Sequence, residues 1–258
     1  MIPRFGKLLL TEISQQEVAK WLAEKRDSGL APATVEKLRV TLGKSFALAA
    51  TWNLPGGQAN PVRGIPRPKY SNARSRYLSA PEAARLRVAI EGSRYKRLAD
   101  IVWLLLLTGA RVSELLHAKR ADVDTARKVW FIPDSKTGKS RHVPLSGAAI
   151  EIIDKLPTYD KCDLLIPNPK TKKPFVSIKH SWDTARTEAK LPGVRIHDLR
   201  HSAASFMINA GIDLYAVGRV LGHADHKSTM RYSHLANDTL LAAVEAGAVG
   251  LSIARAGA

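Results

Sequence analysis

The chain has 258 residues, 45% hydrophobic and 24% charged, which excludes a disordered polymer and is long enough for two domains. Lys and Arg number 40 against 23 Asp and Glu, a net charge of +17, with a pI near 10.2. Such a field favours a polyanion as partner, nucleic acid first among them. The single Cys162 excludes an intramolecular disulfide and a Cys-cluster zinc site. The run Leu8-Leu9-Leu10 is too short for a signal-peptide core, and Ile101 to Leu107 falls far short of the ~20 residues a bilayer requires. The expectation is a soluble intracellular protein.

In chain order, Ser14 and Glu17 have capping-box spacing, and Ile13 can staple to Val18, so a helix opens here and runs to Gly29. A second helix follows Pro32, with Val35, Leu38, Leu42, Phe46 and Ala49 on one face and Lys37 and Lys44 on another. A basic helix face is usually only solvated, but in so cationic a chain it can lie along phosphates. Between Pro55 and Arg76, Pro and Gly alternate with Arg63, Arg67, Lys69, Arg74 and Arg76. No helical or strand period survives that density, which predicts a linker over 58–76 between a helical domain at 1–57 and a second domain at 77–258.

Ser79 and Glu82 again have capping-box spacing, predicting a helix to about Ile90. A largely apolar helix follows from Leu98 to Leu107. Thr108-Gly109-Ala110 interrupts it before Arg111 to Leu116 resume. Lys128 to Ile132 and Arg141 to Leu145 read as two strands around a Lys-rich turn, Asp134 to Lys139. Helices are expected at Ala148–Leu156, Ile178–Ala189, through Ile196–Leu235, and as an Ala-rich element from Asp238 to Ile253. The fold class is therefore mainly α with a small antiparallel sheet.

The stretch Ile196 to Leu235 concentrates histidine and arginine beside a tyrosine. His197 and Arg200 are three apart on one helix face, so both can reach one phosphate. His223 follows Gly222 in a turn, and Tyr232 lies on the next element. Upstream, Arg111 sits at a helix start, where amides and a guanidinium both favour an anion. Lys136, on the strand turn, can reach a leaving oxygen. Taken singly, each has a commoner explanation: Arg111 as a partner of Glu114, Lys136 as a solvated turn lysine, His197 as a cap, Tyr232 as core. Their joint occurrence is what points to phosphodiester chemistry.

These segments resemble those of the tyrosine recombinases of the phage-integrase type. The matching residues are Thr108-Gly-Ala-Arg111-Val-Ser-Glu114, Ser135-Lys136-Thr-Gly138 with Arg141-His-Val-Pro144, His197-Asp-Leu-Arg200-His201, Leu221-Gly-His223 and Arg231-Tyr232-Ser-His-Leu235. Gly29-Leu-Ala-Pro-Ala-Thr34 and Asn60-Pro61 resemble the family's helical core-binding domain. That match begins near Phe5-Gly6, so the first helix of this domain is expected to be missing.

The resemblance implies Tyr232 as nucleophile, with Arg111 and Arg200 clamping the scissile phosphate and Lys136 protonating the departing 5′-oxygen. His197 and His223 would hydrogen-bond the phosphate and help move the proton. It implies no cofactor and no metal. Lys37, Lys44, Arg67, Lys69, Arg74, Arg76, Lys139 and Arg141 are the expected DNA-binding residues. The implied partners are double-stranded DNA, a homo-tetramer on synapsed DNA, and accessory DNA-bending or excisionase proteins, in a bacterial or phage-derived cytoplasmic setting.

Three rivals remain. His197 and His201 are spaced i, i+4 and could hold a metal with His223 and His226, although Arg200 would then stand beside the ion. A DNA-binding remnant without recombination is motivated by the missing helix. Nicking and rejoining of the type IB topoisomerase kind uses much of the same chemistry.

Overall fold

The computed structural model describes residues 1–68, 76–133, 140–223, 227–230, 232, 233 and 244. The chain divides into two compact units, Met1–Arg74 and Ser75–Ala258.

In the first unit, α1 (Ile2–Phe5) and a 3-10 turn at Leu10–Glu12 lead into α2 (Gln15–Asp27) and α3 (Pro32–Thr51). Ser14 caps α2 as its spacing predicts. Its hydroxyl accepts from the Glu17 N–H at 3.2 Å, and the Glu17 carboxylate accepts from the Ser14 N–H at 3.3 Å, satisfying two end donors. Pro32 begins α3, where its missing N–H costs nothing. Val18, Trp21, Leu22, Val35, Leu42 and Phe46 form the core. Although a first helix was not expected, the single turn of α1 delivers Phe5 to this core, edge-on to Trp21 at 5.2 Å.

The stretch expected as linker starts inside this unit. Val62 is buried in the same core and Ile65 packs against it. Asn60 Nδ2 donates to the Gly43 carbonyl at 3.0 Å, and Asn60 Oδ1 accepts from the Val62 N–H at 3.0 Å. The density of Pro and Gly removes a regular period without removing packing: one Asn turn and one valine suffice to dock the segment on α3.

The second unit contains α4 (Ala80–Glu91), α5 (Leu98–Thr108), α6 (Val112–Leu116), a 3-10 turn at Arg120–Asp122, and strands β1 (Val123–Asp124), β2 (Val129–Ile132) and β3 (Arg141–Pro144). Helices α7 (Gly147–Asp154), α8 (Lys179–Glu188), α9 (Asp198–Asn209), α10 (Leu214–Leu221) and α11 (Lys227–Met230) follow. The strands form one antiparallel sheet in the order β1-β2-β3, with Trp130 opposite Val143 and Ile132 opposite Arg141. Strand β1 was not expected, being two residues long with no alternation to detect.

Helix α5 is apolar almost all round because it is enclosed: it packs on α4, α7 and α9. Its Leu98, Ile101, Val102, Leu104 and Leu105 are buried in the main core. A smaller core of Ala204, Ile208, Val217, Leu221 and Tyr232 joins α9, α10 and the segment after α11. The expected turn at Asp134 to Lys139 lies outside the described residues. So does the expected helix from Asp238 to Ile253, apart from Val244. No helix among the described residues is long and apolar enough to cross a membrane.

Candidate active site

The site begins where α5 stops. Gly109 ends the helix at φ 61°, and a Cβ there would stand 2.6 Å from Leu221 Cδ2. Glycine therefore serves both a left-handed conformation and a close approach of α10. Thr108 Oγ1 donates back to the Leu104 carbonyl at 2.5 Å, fixing the turn.

Arg111, the next residue but one, begins α6. Its N–H donates to Glu114 Oε2 and its guanidinium to Glu114 Oε1, both at 2.7 Å. Arg141, from β3, grips the same carboxylate with two nitrogens, at 2.8 and 2.7 Å. Glu114 is only 5% exposed. Burial alone would push its carboxyl up, but hydrogen bonds from Arg141 and Arg111 outweigh that and hold it at about 2. Arg141 Nε is buried without a hydrogen-bond partner. The side chain lies over Gly222, which ends α10 at φ 66°; a Cβ there would be 2.7 Å from that Nε. Beside Arg111 opens a cleft of about 620 Å³, lined by His117, Lys119, Trp130 and Ile132 among others.

Arg200 enters from α9 and is 5% exposed. Its guanidinium donates to the Gly109 carbonyl at 2.6 Å and the Leu221 carbonyl at 2.5 Å, at the C-terminal ends of α5 and α10. Burial, then repulsion from Arg111 and Arg141, lowers it to about 10. Helix α9 is fixed by Ser202, whose hydroxyl accepts from the Leu78 N–H and donates to the Asp198 carbonyl, each at 2.8 Å. His197 begins α9, and its ring meets His201 edge-on at 5.1 Å. His201 Nδ1 is 2.5 Å from the Tyr232 hydroxyl, and Tyr232 is 5% exposed. His223 Nδ1 is 2.7 Å from Thr229 Oγ1. Gly218 makes room for that threonine, since a Cβ would stand 2.8 Å from its oxygen.

Five of the six residues expected to carry chemistry thus fall in one neighbourhood: Arg111, His197, Arg200, His223 and Tyr232. The sixth, Lys136, lies outside the described residues, as do Lys69, Arg74 and Lys139. Lys37 and Lys44 are exposed on α3. Arg67 is exposed and 3.6 Å from the buried Glu36. Two of the expected DNA-binding residues are engaged internally. Arg76 binds both oxygens of Glu82 at 2.8 and 2.5 Å. That contact first, with other bonds that together outweigh burial, lowers Glu82 to about 2. Arg141 is likewise held by Glu114. The buried Glu114 needs its counter-charge, whereas Glu82 is only partly buried; both arginines are paired within this unit. His201, considered from the sequence only as a possible metal ligand, has i, i+4 spacing from His197, which puts it on the same side of α9. Among the described residues no group of three or more His, Cys, Asp or Glu is arranged to hold a metal.

The family model described as the Phage integrase family matches residues 76–238. The chain belongs to that family. It is 30% identical over 238 residues to the integrase of Escherichia phage P2, covering 90% of this chain and 64% of that protein. It is 29% identical over 238 residues to the shufflon-specific DNA recombinase of Escherichia coli, covering 88% and 59%. The chain therefore spans about three fifths of the length of these two relatives. Its fold is similar to that of the Tn1549 transposon integrase, solved in complex with circular intermediate DNA. There the TM-score is 0.70 at 17% identity, over 89% of this chain and 83% of the other.

Proposed function

We propose that this chain is a site-specific DNA recombinase that cleaves and rejoins strands through a 3′-phosphotyrosyl intermediate, integrating or excising a mobile element. The observation that carries the reading is the convergence of Arg111, Arg200 and Tyr232. Two guanidiniums anchored at helix ends share a neighbourhood with a phenol held by a histidine. A phosphodiester placed there would have its non-bridging oxygens bound by Arg111 and Arg200, with His197 and His223 as further donors. Tyr232 Oη would attack phosphorus, and Lys136 would protonate the departing 5′-oxygen. The transition state gathers negative charge that fixed guanidiniums stabilise without reorganising. Because the phosphotyrosine keeps the energy of the broken phosphodiester, a second 5′-hydroxyl can reverse the step with no nucleotide cofactor.

The partner in this reading is duplex DNA, reached through the basic surface and the exposed Lys37 and Lys44, with a homo-tetramer assembled on two duplexes. Accessory DNA-bending or excisionase proteins would set direction, and the setting is the cytoplasm of a bacterial host. The similarity to the P2 integrase and the shufflon-specific DNA recombinase supports this class of reaction.

The test uses duplexes enriched for binding from a randomised pool, each nicked in turn near its centre so that cleavage becomes irreversible. A denaturation-resistant adduct that disappears in Tyr232→Phe is the expected result. A folded, DNA-binding chain that yields no adduct on any of them overturns the proposal.

A further inference from the structure

We infer that His201 is a catalytic residue, holding the Tyr232 phenol and accepting its proton during strand cleavage. The inference rests on the recombinase reading above and assigns to this chain a group beyond the six named for it. Its carrying observation is the contact of His201 Nδ1 with Tyr232 Oη at 2.5 Å, within the reach a general base needs. Both side chains are buried, at 9% and 5% exposure, so the phenol's surroundings are set by the fold and not by bulk water.

The surroundings suit that task. His201 lies one helical turn after His197 on α9, and the His197 ring meets it edge-to-face with an interplanar angle of 88°, which fixes the plane of the imidazole. Arg200, the residue before His201, is locked to the Gly109 and Leu221 carbonyls. One stretch of α9 therefore aims a phosphate-binding guanidinium and the partner of the nucleophile from adjacent positions. On the other side, Tyr232 is seated by Ala204, Ile208, Val217 and Leu221.

A phenol ionises near ~10, so at neutral pH almost all of it is protonated and its proton must leave as phosphorus is attacked. With His201 neutral and its proton on Nε2, Nδ1 carries the lone pair that accepts from Oη. In cleavage the Oη–H bond breaks and the proton passes to Nδ1, while Oη bonds to phosphorus. The bond from phosphorus to the 5′-oxygen breaks with its electron pair on that oxygen. That oxygen then takes its proton from the acid, Lys136 in this reading. In rejoining, the new 5′-hydroxyl gives its proton to the neutral Lys136 amine as its oxygen bonds to phosphorus, the Oη–phosphorus bond breaks, and Nδ1 returns its proton to the phenolate. The developing charge on the phosphate offsets the imidazolium formed beside two arginines.

The experiment measures adduct formation with the full chain on the nicked, binding-enriched duplexes, in parallel with a matched set whose scissile 5′-oxygen is replaced by sulfur. His201→Phe keeps a ring in the site and removes the acceptor. His201→Asn places an amide oxygen near the position of Nδ1, an acceptor that takes no proton. Thermal unfolding and DNA binding report whether each variant is intact. Cleavage by His201→Phe is expected to fall by about 10² or more, with His201→Asn between it and the wild type. On the sulfur substrate, whose leaving group needs no acid, both defects persist while Lys136→Ala recovers.

A wild-type-like rate in His201→Phe, within about threefold, overturns the inference. If His201→Phe does not fold, His201→Asn decides in the same way: a wild-type-like rate shows that no proton transfer is needed. Recovery of the His201 variants on the sulfur substrate also overturns it, since His201 would then serve the leaving group. If the wild-type chain itself forms no adduct lost in Tyr232→Phe, the recombinase reading has failed. If the wild type cleaves and the His201 variants cleave equally, only the present inference has.

Discussion

Arg141 reaches from β3 to both oxygens of Glu114, at 2.8 and 2.7 Å, and the same carboxylate holds Arg111. A residue expected to face DNA thus shares the carboxylate that orients the guanidinium proposed to bind phosphate. Arg141→Ala leaves Glu114 buried with half its counter-charge, so stability should fall by about 3 kcal/mol. Arg141→Lys should recover little, because an ammonium lacks the two-pronged geometry. Urea unfolding of the three proteins checks both statements.

Acid should unfold the second unit through this carboxylate. Glu114 sits at about 2 in the folded chain against an ordinary 4.5, and Glu82 likewise. A folded value below the unfolded one gives stability that is complete above pH 4.5 and lost as pH falls towards 2. For Glu114 the loss is on the order of 3 kcal/mol. Unfolding free energies between pH 6 and pH 2 should show this slope, flattened in Glu114→Gln. A slope unchanged by that substitution contradicts the assignment.

Three glycines with positive φ should respond differently to alanine. Gly109 and Gly222 stand at 61° and 66°, against Leu221 and Arg141 respectively, whereas Gly29, at 88°, has nothing within 4 Å. Gly29→Ala should cost only the backbone term, about 1–2 kcal/mol. The other two should cost more, and should impair strand cleavage as well. Melting temperatures and adduct yields measured side by side test the ranking.

Gly218→Ala separates stability from activity. Gly218 lies inside α10, where alanine gains up to about 1 kcal/mol in helix propensity. Its Cβ would press on Thr229 Oγ1, the partner of His223. Cleavage should fall by about tenfold or more through displacement of that histidine, while the melting temperature changes little. An unaltered cleavage rate would show that the Thr229 contact does not set the position of His223.

What could be read from the sequence was local or periodic. Ser14 with Glu17 and Ser79 with Glu82 are three residues apart, and the structure builds both capping boxes. The enclosed α5 and the β2–β3 pair were legible from their apolar pattern. The ion pair of Arg141 was not legible because its partner is 27 residues upstream; sequence displays a charge and not what it faces. The contact of His201 with Tyr232 was not legible because they are 31 residues apart, and only packing of α9 against the segment after α11 brings them together. The docking of Val62 was hidden by proline and glycine, which mark where regular structure stops but not whether a segment packs.

Arg200 has a consequence for the chain's life before it is fully folded. Its two carbonyl partners lie 91 and 21 residues away in sequence, at the tips of two helices ended by left-handed glycines. Neither acceptor is in place until α5, α9 and α10 have packed. A nascent or misfolded chain consequently carries Tyr232, the proposed nucleophile, without the proposed phosphate clamp in place. The capacity to break DNA proposed here would be withheld from every conformation except the native one, a safeguard for the host genome that follows from topology alone.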